Sequence, residues 1–162
     1  MNAYKVALFG HRELIDYDKV EDRLFTLLRT LIREKDLLEV YVGRNGEFDV
    51  LAATVVKRAQ KTFGRERCSL LLILPYASKD IEYYEQYYDG IIIPACAEKS
   101  HPKGAITKRN RWMVEQCDLL LCFVEQNRGG AFAAWKYAQS LGIKTANLAH
   151  DDFMECFPSQ IF

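Results

Sequence analysis

The sequence contains no hydrophobic run long enough to cross a bilayer. Hydrophobic residues make up 49% of the 162 residues and charged residues 27%, which is typical of a globular protein in water. The amino-terminal segment has a short apolar run after one lysine and no cleavage-site pattern, so we interpret it as a first strand and not as a signal peptide. We therefore expect a cytoplasmic protein with no membrane partner.

The chain also lacks an excess of charge of either sign. Lysine plus arginine equal aspartate plus glutamate, at 22 each. Because proteins that bind nucleic acid attract its phosphates with a surplus of basic side chains, we do not expect nucleic acid as a partner. A local basic cleft is still compatible with this composition.

The sequence contains no pair of cysteines at the close spacing that is typical of metal sites. The five cysteines are odd in number and most lie in apolar runs, so we interpret them as reduced thiols of the core. His11, His101 and His150 lie in three different predicted loops, and a metal site would require all three loops to converge. We expect neither a metal nor another cofactor.

Two familiar nucleotide motifs are missing as well. No GlyxGlyxxGly follows the first predicted strand, and no P-loop lysine motif occurs. These absences argue against an ordinary dinucleotide oxidoreductase and against a nucleoside triphosphatase. No internal repeat, low-complexity segment or linker divides the chain, so we predict a single domain over residues 1–162.

Apolar runs typical of buried strands alternate with segments of helical periodicity. The predicted strands are Tyr4 to Phe9, Leu38 to Val42, Cys68 to Leu74, Gly90 to Pro94, Asp118 to Val124 and Lys144 to Leu148. Residues 79–89 fit a short helix or a loop, and residues 95–104 are predicted to be a loop. This alternation predicts an α/β, Rossmann-like, doubly wound and mostly parallel sheet with helices on both faces.

Glycines, arginines and acids follow directly after the first, second and fifth predicted strands. They form the motifs Gly10-His11-Arg12, Gly43 to Asp49, and Gly129-Gly130. In a doubly wound sheet these turns face one crevice, at the carboxyl ends of the strands. Arginine side chains and the unpaired N–H groups at the start of a helix both suit an anion, so the sequence predicts an anion site there.

Arg109 and Asn110 lie on the apolar stripe of the helix that follows Ile106. A buried cation without a partner is costly, so Arg109 requires either a protein carboxylate or a ligand phosphate. Glu47 and Asp118 are the candidate carboxylates, and the sequence leaves both alternatives open.

Taken together, these motifs resemble the SLOG superfamily, the Rossmann-like group that includes the cytokinin-activating LOG proteins and the DNA-processing DprA/Smf proteins. The matching pieces are Gly10-His11-Arg12, GlyxxGlyxPheAsp from Gly43 to Asp49, ArgAsnArgTrpMetVal from Arg109 to Val114, and Gly129-Gly130. The chain most resembles the short YpsA-like branch. The resemblance implies a site for a nucleotide or a nucleotide derivative at the strand ends.

Two positions depart from the patterns of this group. LOG hydrolases carry a glutamate where this chain has Lys136, and that glutamate helps to cleave the N-glycosidic bond. In the YpsA-like pattern a threonine usually follows the two glycines, whereas this chain has Ala131. The resemblance therefore implies nucleotide binding without the catalytic glutamate of LOG proteins.

Our leading hypothesis from sequence is a nucleotide-binding sensor or adaptor. Arg12, Arg109 and the amides of the Gly129-Gly130 turn would hold phosphate, Glu47 or Asp49 would bind the sugar, and Phe48, Tyr76 or Trp112 would stack on a base. The full set of predicted ligand-binding residues is Gly10, His11, Arg12, Gly43, Gly46, Glu47, Asp49, Arg109, Asn110, Gly129 and Gly130.

Two alternatives belong to other functional classes. The first is an N-glycosidase or nucleotide hydrolase that uses Glu47 as its catalytic carboxylate. The second is a protein-interaction scaffold that uses the tyrosine-rich segment from Tyr83 to Tyr88, although four tyrosines in such a segment also fit a packed amphipathic surface. A homo-oligomer is compatible with any of these hypotheses.

Overall fold

A computed structural model describes residues 2–156, which contain one six-stranded sheet. Its strands are β1 Tyr4–Gly10, β2 Leu38–Val42, β3 Cys68–Ile73, β4 Gly90–Ile92, β5 Leu119–Phe123 and β6 Lys144–Asn147. The strand order is β4-β3-β2-β1-β5-β6, and all five neighbouring pairs are parallel. The predicted Rossmann-like, doubly wound sheet is therefore confirmed.

Helices cover both faces of the sheet. They are α1 Tyr17–Glu34, α2 Glu47–Phe63, α3 Ile81–Tyr87, α4 Ala95–Glu98, α5 Pro102–Gln116 and α6 Gly130–Ser140. One hydrophobic cluster joins α1 and α2 to one face, and a second cluster joins α5 and α6 to the other. Within the described residues no helix is both long and apolar enough to span a membrane.

The chain reverses its direction of winding between β1 and β5. From β1 it proceeds outward through β2, β3 and β4, and it then returns to place β5 on the other side of β1. At such a switch point the flanking connections run to opposite faces, which leaves a crevice at the carboxyl ends of the strands. This topology brings the turns after β1, β2 and β5 together.

The predicted loop over residues 95–104 is wrong. It contains the one-turn helix α4 and the first turn of α5, which begins at Pro102. Proline suits the first turn of a helix because its missing N–H would have no intrahelical partner there, and the ring nitrogen Nδ1 of His101 accepts a hydrogen bond from Lys103 N–H at 3.2 Å. Of the two alternatives for residues 79–89, the short helix is present as α3.

Gly10 ends β1 directly against the buried ring of Phe48, the second residue of α2. A Cβ atom added at Gly10 would lie 2.1 Å from Cγ and 2.6 Å from Cβ of Phe48, and Phe48 is fully buried. We expect Gly10→Ala to lower the free energy of unfolding by about 1–3 kcal/mol through overpacking, measured as a lower denaturant midpoint. Gly104→Ala is the matched control because an added Cβ meets nothing within 4 Å there. Equal midpoints for the two variants would contradict this packing argument.

Candidate functional site: a cavity at the strand ends

A cavity of about 390 Å³ opens at the carboxyl ends of β1 and β2 and beside the start of α6. This volume is within the usual range of small-molecule sites. We call it the strand-end cavity. The predicted site residues that line it are Gly10, His11, Arg12, Gly43, Asp49, Arg109, Asn110, Gly129 and Gly130. Gly46 and Glu47 instead line a neighbouring cavity.

The Arg109 side chain is buried in the wall of the strand-end cavity, with only 2% of its surface exposed. Its Nη1 donates a hydrogen bond to the carbonyl oxygen of Ile73 at 2.7 Å, and its Nε donates to Oδ1 of Asn110 at 2.9 Å. Neither partner carries a charge, and Arg109 forms no ion pair within the described residues. The predicted carboxylate partners Glu47 and Asp118 are therefore not used.

The Nη2 atom of Arg109 makes no hydrogen bond to any residue in the range 2–156. Among these residues the single polar side-chain atom that is both sealed from solvent and without a partner is Nε of Arg29. It follows that Nη2 of Arg109 reaches accessible space, and Arg109 is one of the residues that line the strand-end cavity. Burial lowers the pKa of the Arg109 guanidinium, while the nearby Asp49 raises it, and an arginine keeps its charge at neutral pH.

Asp49 supplies a carboxylate to the same cavity. It lies in the first turn of α2, is partly buried, and accepts a hydrogen bond from Asn45 N–H at 2.9 Å through Oδ2. A Cβ placed on Gly43 would be 3.1 Å from this oxygen and 3.0 Å from Nη1 of Arg109, so both side chains converge on the Gly43 backbone. Burial raises the pKa of Asp49, and the Asn45 amide and the Arg109 charge oppose that effect. The helix cap itself is Gly46 and not Asp49.

The start of α6 presents backbone amides to the strand-end cavity. Gly129 is the N-cap with a φ of 92°, a left-handed conformation that favours glycine, and no side chain caps this helix. A Cβ added at Gly130 would lie 3.4 Å from Nδ2 of Asn110, so these amides lie beside the Arg109–Asn110 pair. Unpaired N–H groups and the helix dipole together favour an anion at this position.

His11 acts as a hydrogen-bond acceptor. Its Nε2 accepts hydrogen bonds from the backbone N–H groups of Glu125 at 3.0 Å and of Gln126 at 3.2 Å. These bonds hold the loop between β5 and α6 against the turn after β1. His11 therefore positions one wall of the cavity, and the neutral ring tautomer with its proton on Nδ1 is the form that makes both bonds.

Arg12 is exposed, and it makes no hydrogen bond or ion pair through its side chain within the described residues. Its carbonyl oxygen accepts a hydrogen bond from Glu47 N–H at 2.8 Å, which joins the turn after β1 to the start of α2. A Cβ added at Gly46 would lie 2.5 Å from Cα of Arg12, so glycine permits this close approach. The Arg12 guanidinium is thus available to a ligand.

Glu47 points away from the strand-end cavity. Its Oε2 accepts a hydrogen bond from Leu14 N–H at 2.6 Å, and the Tyr17 hydroxyl donates a second bond to the same carboxylate. These two bonds hold the pKa of Glu47 below its ordinary value. In this structure the carboxylate of Glu47 fixes the loop between β1 and α1, and Asp49 is the carboxylate that lies in the strand-end cavity.

None of the three aromatic side chains suggested for base stacking lines the strand-end cavity. Phe48 is fully buried beneath Gly10, so the prediction that it stacks on a base is wrong. Trp112 packs against the ring of Tyr41 with centroids 5.9 Å apart. Tyr76 is 45% exposed.

The tyrosine-rich segment is largely packed against its own chain. The Arg44 guanidinium lies 4.9 Å from the centroid of the Tyr84 ring and donates a hydrogen bond to the Tyr88 hydroxyl at 3.2 Å. Lys57 lies 4.8 Å from the centroid of the Tyr87 ring, whereas Tyr83 is 65% exposed. The packed amphipathic interpretation therefore describes most of this segment, and its use as an interface remains a prediction.

Eight residues that line the cavity were not among the predicted site residues. Four of them are Asn45 and, on α5, Lys103, Ile106 and Thr107. Lys103, Thr107 and Asn110 are spaced four and then three residues apart, which places them on one face of a helix. This spacing was not recognised from the sequence because the predicted helix began only at Ile106, which left Lys103 outside it.

The described residues contain no group of three or more His, Cys, Asp or Glu side chains arranged to hold a metal ion. Of the three histidines considered for such a site, His11 binds backbone amides and His101 caps α5. The chemistry that the strand-end cavity offers is therefore that of a cationic and amide-lined site with one carboxylate.

The sheet order and the crevice at its switch point define a Rossmann-like α/β protein. No protein-family model matches the chain, and no curated protein matches its sequence. Several solved structures share the fold, however. DNA processing protein A (DprA) from Streptococcus pneumoniae matches with a TM-score of 0.64 at 15% identity, over 90% of this chain and 50% of that chain.

A second DprA structure, from Helicobacter pylori and described by its unique single-stranded DNA binding mode, has a TM-score of 0.61 at 17% identity, over 89% of this chain and 64% of that one. The protein TM1055 matches with a TM-score of 0.58 at 16% identity, over 88% of this chain and 72% of that one. This chain thus spans half to just under two-thirds of the two DprA chains. It shares the fold of these three structures, while membership of the SLOG superfamily and of its YpsA-like branch remains a prediction.

Proposed function

We propose that this protein binds a nucleotide or a nucleotide derivative in the strand-end cavity and acts as a sensor or adaptor. The observation that carries the proposal is the Arg109 guanidinium, which lies buried in the cavity wall, forms no ion pair within the described residues and has a donor, Nη2, that makes no hydrogen bond to them. A phosphate beside it would accept charge-assisted hydrogen bonds from Nη2 and from the first amides of α6. Such an anion would satisfy both sets of donors at once.

The rest of the wall fits a nucleoside attached to that phosphate. The Asp49 carboxylate accepts hydrogen bonds and is therefore suited to sugar hydroxyls, and its Oδ1 makes no hydrogen bond to residues 2–156. Lys103 adds a third cation beside Arg12 and Arg109, while Ile106 and Met113 add apolar surface. A site with a few convergent polar groups on an apolar wall is typical of small-molecule binding.

Calorimetric titration with the four ribonucleoside 5′-monophosphates and their parent nucleosides tests this function. We expect at least one nucleotide to bind about 10-fold to 100-fold more tightly than its nucleoside, because the phosphate adds charge-assisted hydrogen bonds. Added salt should weaken the nucleotide and leave the nucleoside unchanged. Equal affinities within every pair, or no binding at all, would contradict the proposal.

An oligo-dT single strand belongs in the same titration, because one structural neighbour is described by its binding of single-stranded DNA. The net charge of this chain is zero, so we expect the oligonucleotide to bind no more tightly than a mononucleotide. Much tighter binding of the oligonucleotide would reverse our expectation about nucleic acid.

A second candidate function is hydrolysis of the N-glycosidic bond of the bound nucleotide. The observation that favours it is Asp49, a carboxyl whose pKa is raised by burial inside the cavity. Its carboxylate would accept a proton from water as the oxygen attacks C1′, while the bond from C1′ to the base breaks and the base leaves with the electron pair and is protonated. Chromatography of wild-type protein incubated with each monophosphate tests for released base. Complete recovery of every nucleotide would leave binding as the function.

A further inference from the structure

A second cavity, of about 580 Å³, lies next to the strand-end cavity between the loop after β1 and the first two turns of α2. We call it the side cavity. It is lined by Arg12, Tyr17, Arg44, Gly46, Glu47, Val50, Leu51 and Thr54. Arg12 also lines the strand-end cavity, so the two cavities share the wall that this residue forms. A ligand that passes Arg12 could occupy both.

Part of the side-cavity lining is apolar and exposed. Tyr17 is 43% exposed and Val50 is 47% exposed, and Leu51 adds a partly buried surface beside them. The hydroxyl of Tyr17 lies beside the carboxylate of Glu47, which also accepts a hydrogen bond from Leu14 N–H, so these contacts connect the start of α1 to the start of α2. Covering such a preformed apolar surface with a flat ring or a sugar face is favourable.

The boundary between the two cavities carries positive charge. The Arg12 guanidinium has no partner in the described structure, and Arg44, which also lines the side cavity, contacts Tyr84 and Tyr88. The Glu47 carboxylate already accepts hydrogen bonds from Leu14 N–H and from the Tyr17 hydroxyl. An arginine that is free and exposed between two ligand-sized spaces is suited to a bridging phosphate group.

We propose that the ligand is a nucleoside diphosphate conjugate that occupies both cavities. Its nucleotide part would lie in the strand-end cavity, its diphosphate bridge would pass Arg12, and the ring attached to the distal phosphate would lie against Tyr17 and Val50. This inference rests on the proposed function, because it names the class of nucleotide that the strand-end cavity takes. It assigns a second ligand subsite to the side cavity, at Tyr17 and Val50.

Calorimetric titration with two matched pairs of probes tests the proposal, namely ADP against ADP-ribose and UDP against UDP-glucose. In wild-type protein we expect at least one conjugate to bind about 10-fold more tightly than its diphosphate, since burial of one apolar ring face contributes roughly 1.4 kcal/mol. Val50→Asp places a charge in the side cavity and should remove this gain without changing the affinity for the diphosphate. Thr62→Asp adds the same charge at the other end of α2 and should change neither affinity.

The outcomes separate this inference from the function on which it rests. Conjugates that bind no more tightly than their diphosphates, or a gain that survives in a folded Val50→Asp protein, would overturn the two-cavity ligand and leave nucleotide binding intact. Failure of every nucleotide and conjugate to bind would overturn both. Because Val50 is exposed, thermal melting of the variant should match that of wild type, which excludes misfolding as the cause of a lost gain.

Discussion

An Arg109→Ala variant should bind nucleoside monophosphates about 100-fold more weakly than wild type. Hydrogen bonds to a charged partner contribute about 1.5–3 kcal/mol each, and every 1.4 kcal/mol is a factor of ten in affinity. Arg109 is 2% exposed, so its bond to a phosphate would be shielded from water and would lie at the strong end of that range. Calorimetry with the tightest-binding monophosphate measures the change directly.

Arg109 also supports the protein itself, and the experiment must separate the two roles. Its Nη1 bonds to the carbonyl oxygen of Ile73, which would lose a buried partner in Arg109→Ala, so we expect the variant to be less stable. A purely structural loss would weaken nucleotide and nucleoside equally, whereas loss of a phosphate contact would weaken the nucleotide alone. An unchanged ratio of the two affinities in Arg109→Ala would contradict the phosphate role.

Arg111 offers a matched control on the same helix. It is exposed, and its guanidinium lies 5.0 Å from the centroid of the Tyr137 ring, outside the strand-end cavity. Arg111→Ala removes the same charge from α5 and should leave nucleotide affinity unchanged. Arg109→Lys keeps the charge but loses the fork of donors, so its affinity should fall between those of wild type and Arg109→Ala.

The sheet and the location of the candidate site were predictable because each depends on a pattern that can be recognised within a short stretch of sequence. Strands buried on both faces are apolar throughout, as in Leu119–Phe123, and such runs are recognisable without any neighbour. The turns after strands one, two and five meet at one edge in any sheet wound in both directions, which placed Gly10 and Gly129 in one cavity. The inward stripe of α5 likewise predicted that Arg109 is buried.

The choice between Glu47 and Asp49 was not predictable. Glu47 and Asp49 are two positions apart in a helix, so their side chains point to different sides of it. Only the rotation of α2 about its own axis decides which of the two faces the cavity. Phe48 between them is inserted under Gly10, which fixes that rotation and turns Asp49 inward and Glu47 toward Leu14. This contact joins residues far apart in the sequence, so no local pattern contains it.

The contacts of His11 and the first residue of α5 were not predictable from the sequence, for related reasons. A histidine ring donates or accepts according to its neighbours, and the amides that His11 accepts from belong to residues 125 and 126, more than a hundred positions away. Pro102 fits both a loop and the first turn of a helix. The structure places it at the start of α5, which extends the helix far enough to bring Lys103 to the cavity.

Asp49→Asn has the largest expected effect on turnover, because the second candidate function assigns the proton transfer to this carboxyl. The rate of base release should fall by about 100-fold to 10,000-fold, the usual range for loss of a general base. The amide oxygen can still accept the hydrogen bond from Asn45 N–H, and the amide nitrogen can donate to a sugar hydroxyl, so nucleotide affinity should fall far less than the rate. Single-turnover release of base, followed by chromatography, measures the rate separately from binding.

The stability of Asp49→Asn provides an independent check on the same side chain. Burial raises the pKa of Asp49 in the folded protein above its value in the unfolded chain. The stabilisation that comes from the protonated form is therefore complete below the unfolded pKa and is lost as pH rises through the folded pKa. Asparagine does not ionise, so the variant should be at least as stable as wild type at neutral pH and its stability should depend less on pH across this interval.

Glu47→Gln is the matched control for turnover and should keep the wild-type rate, because Glu47 faces away from the strand-end cavity. Unchanged turnover in Asp49→Asn, together with a loss in Glu47→Gln, would return the catalytic role to the residue that the sequence alone first suggested.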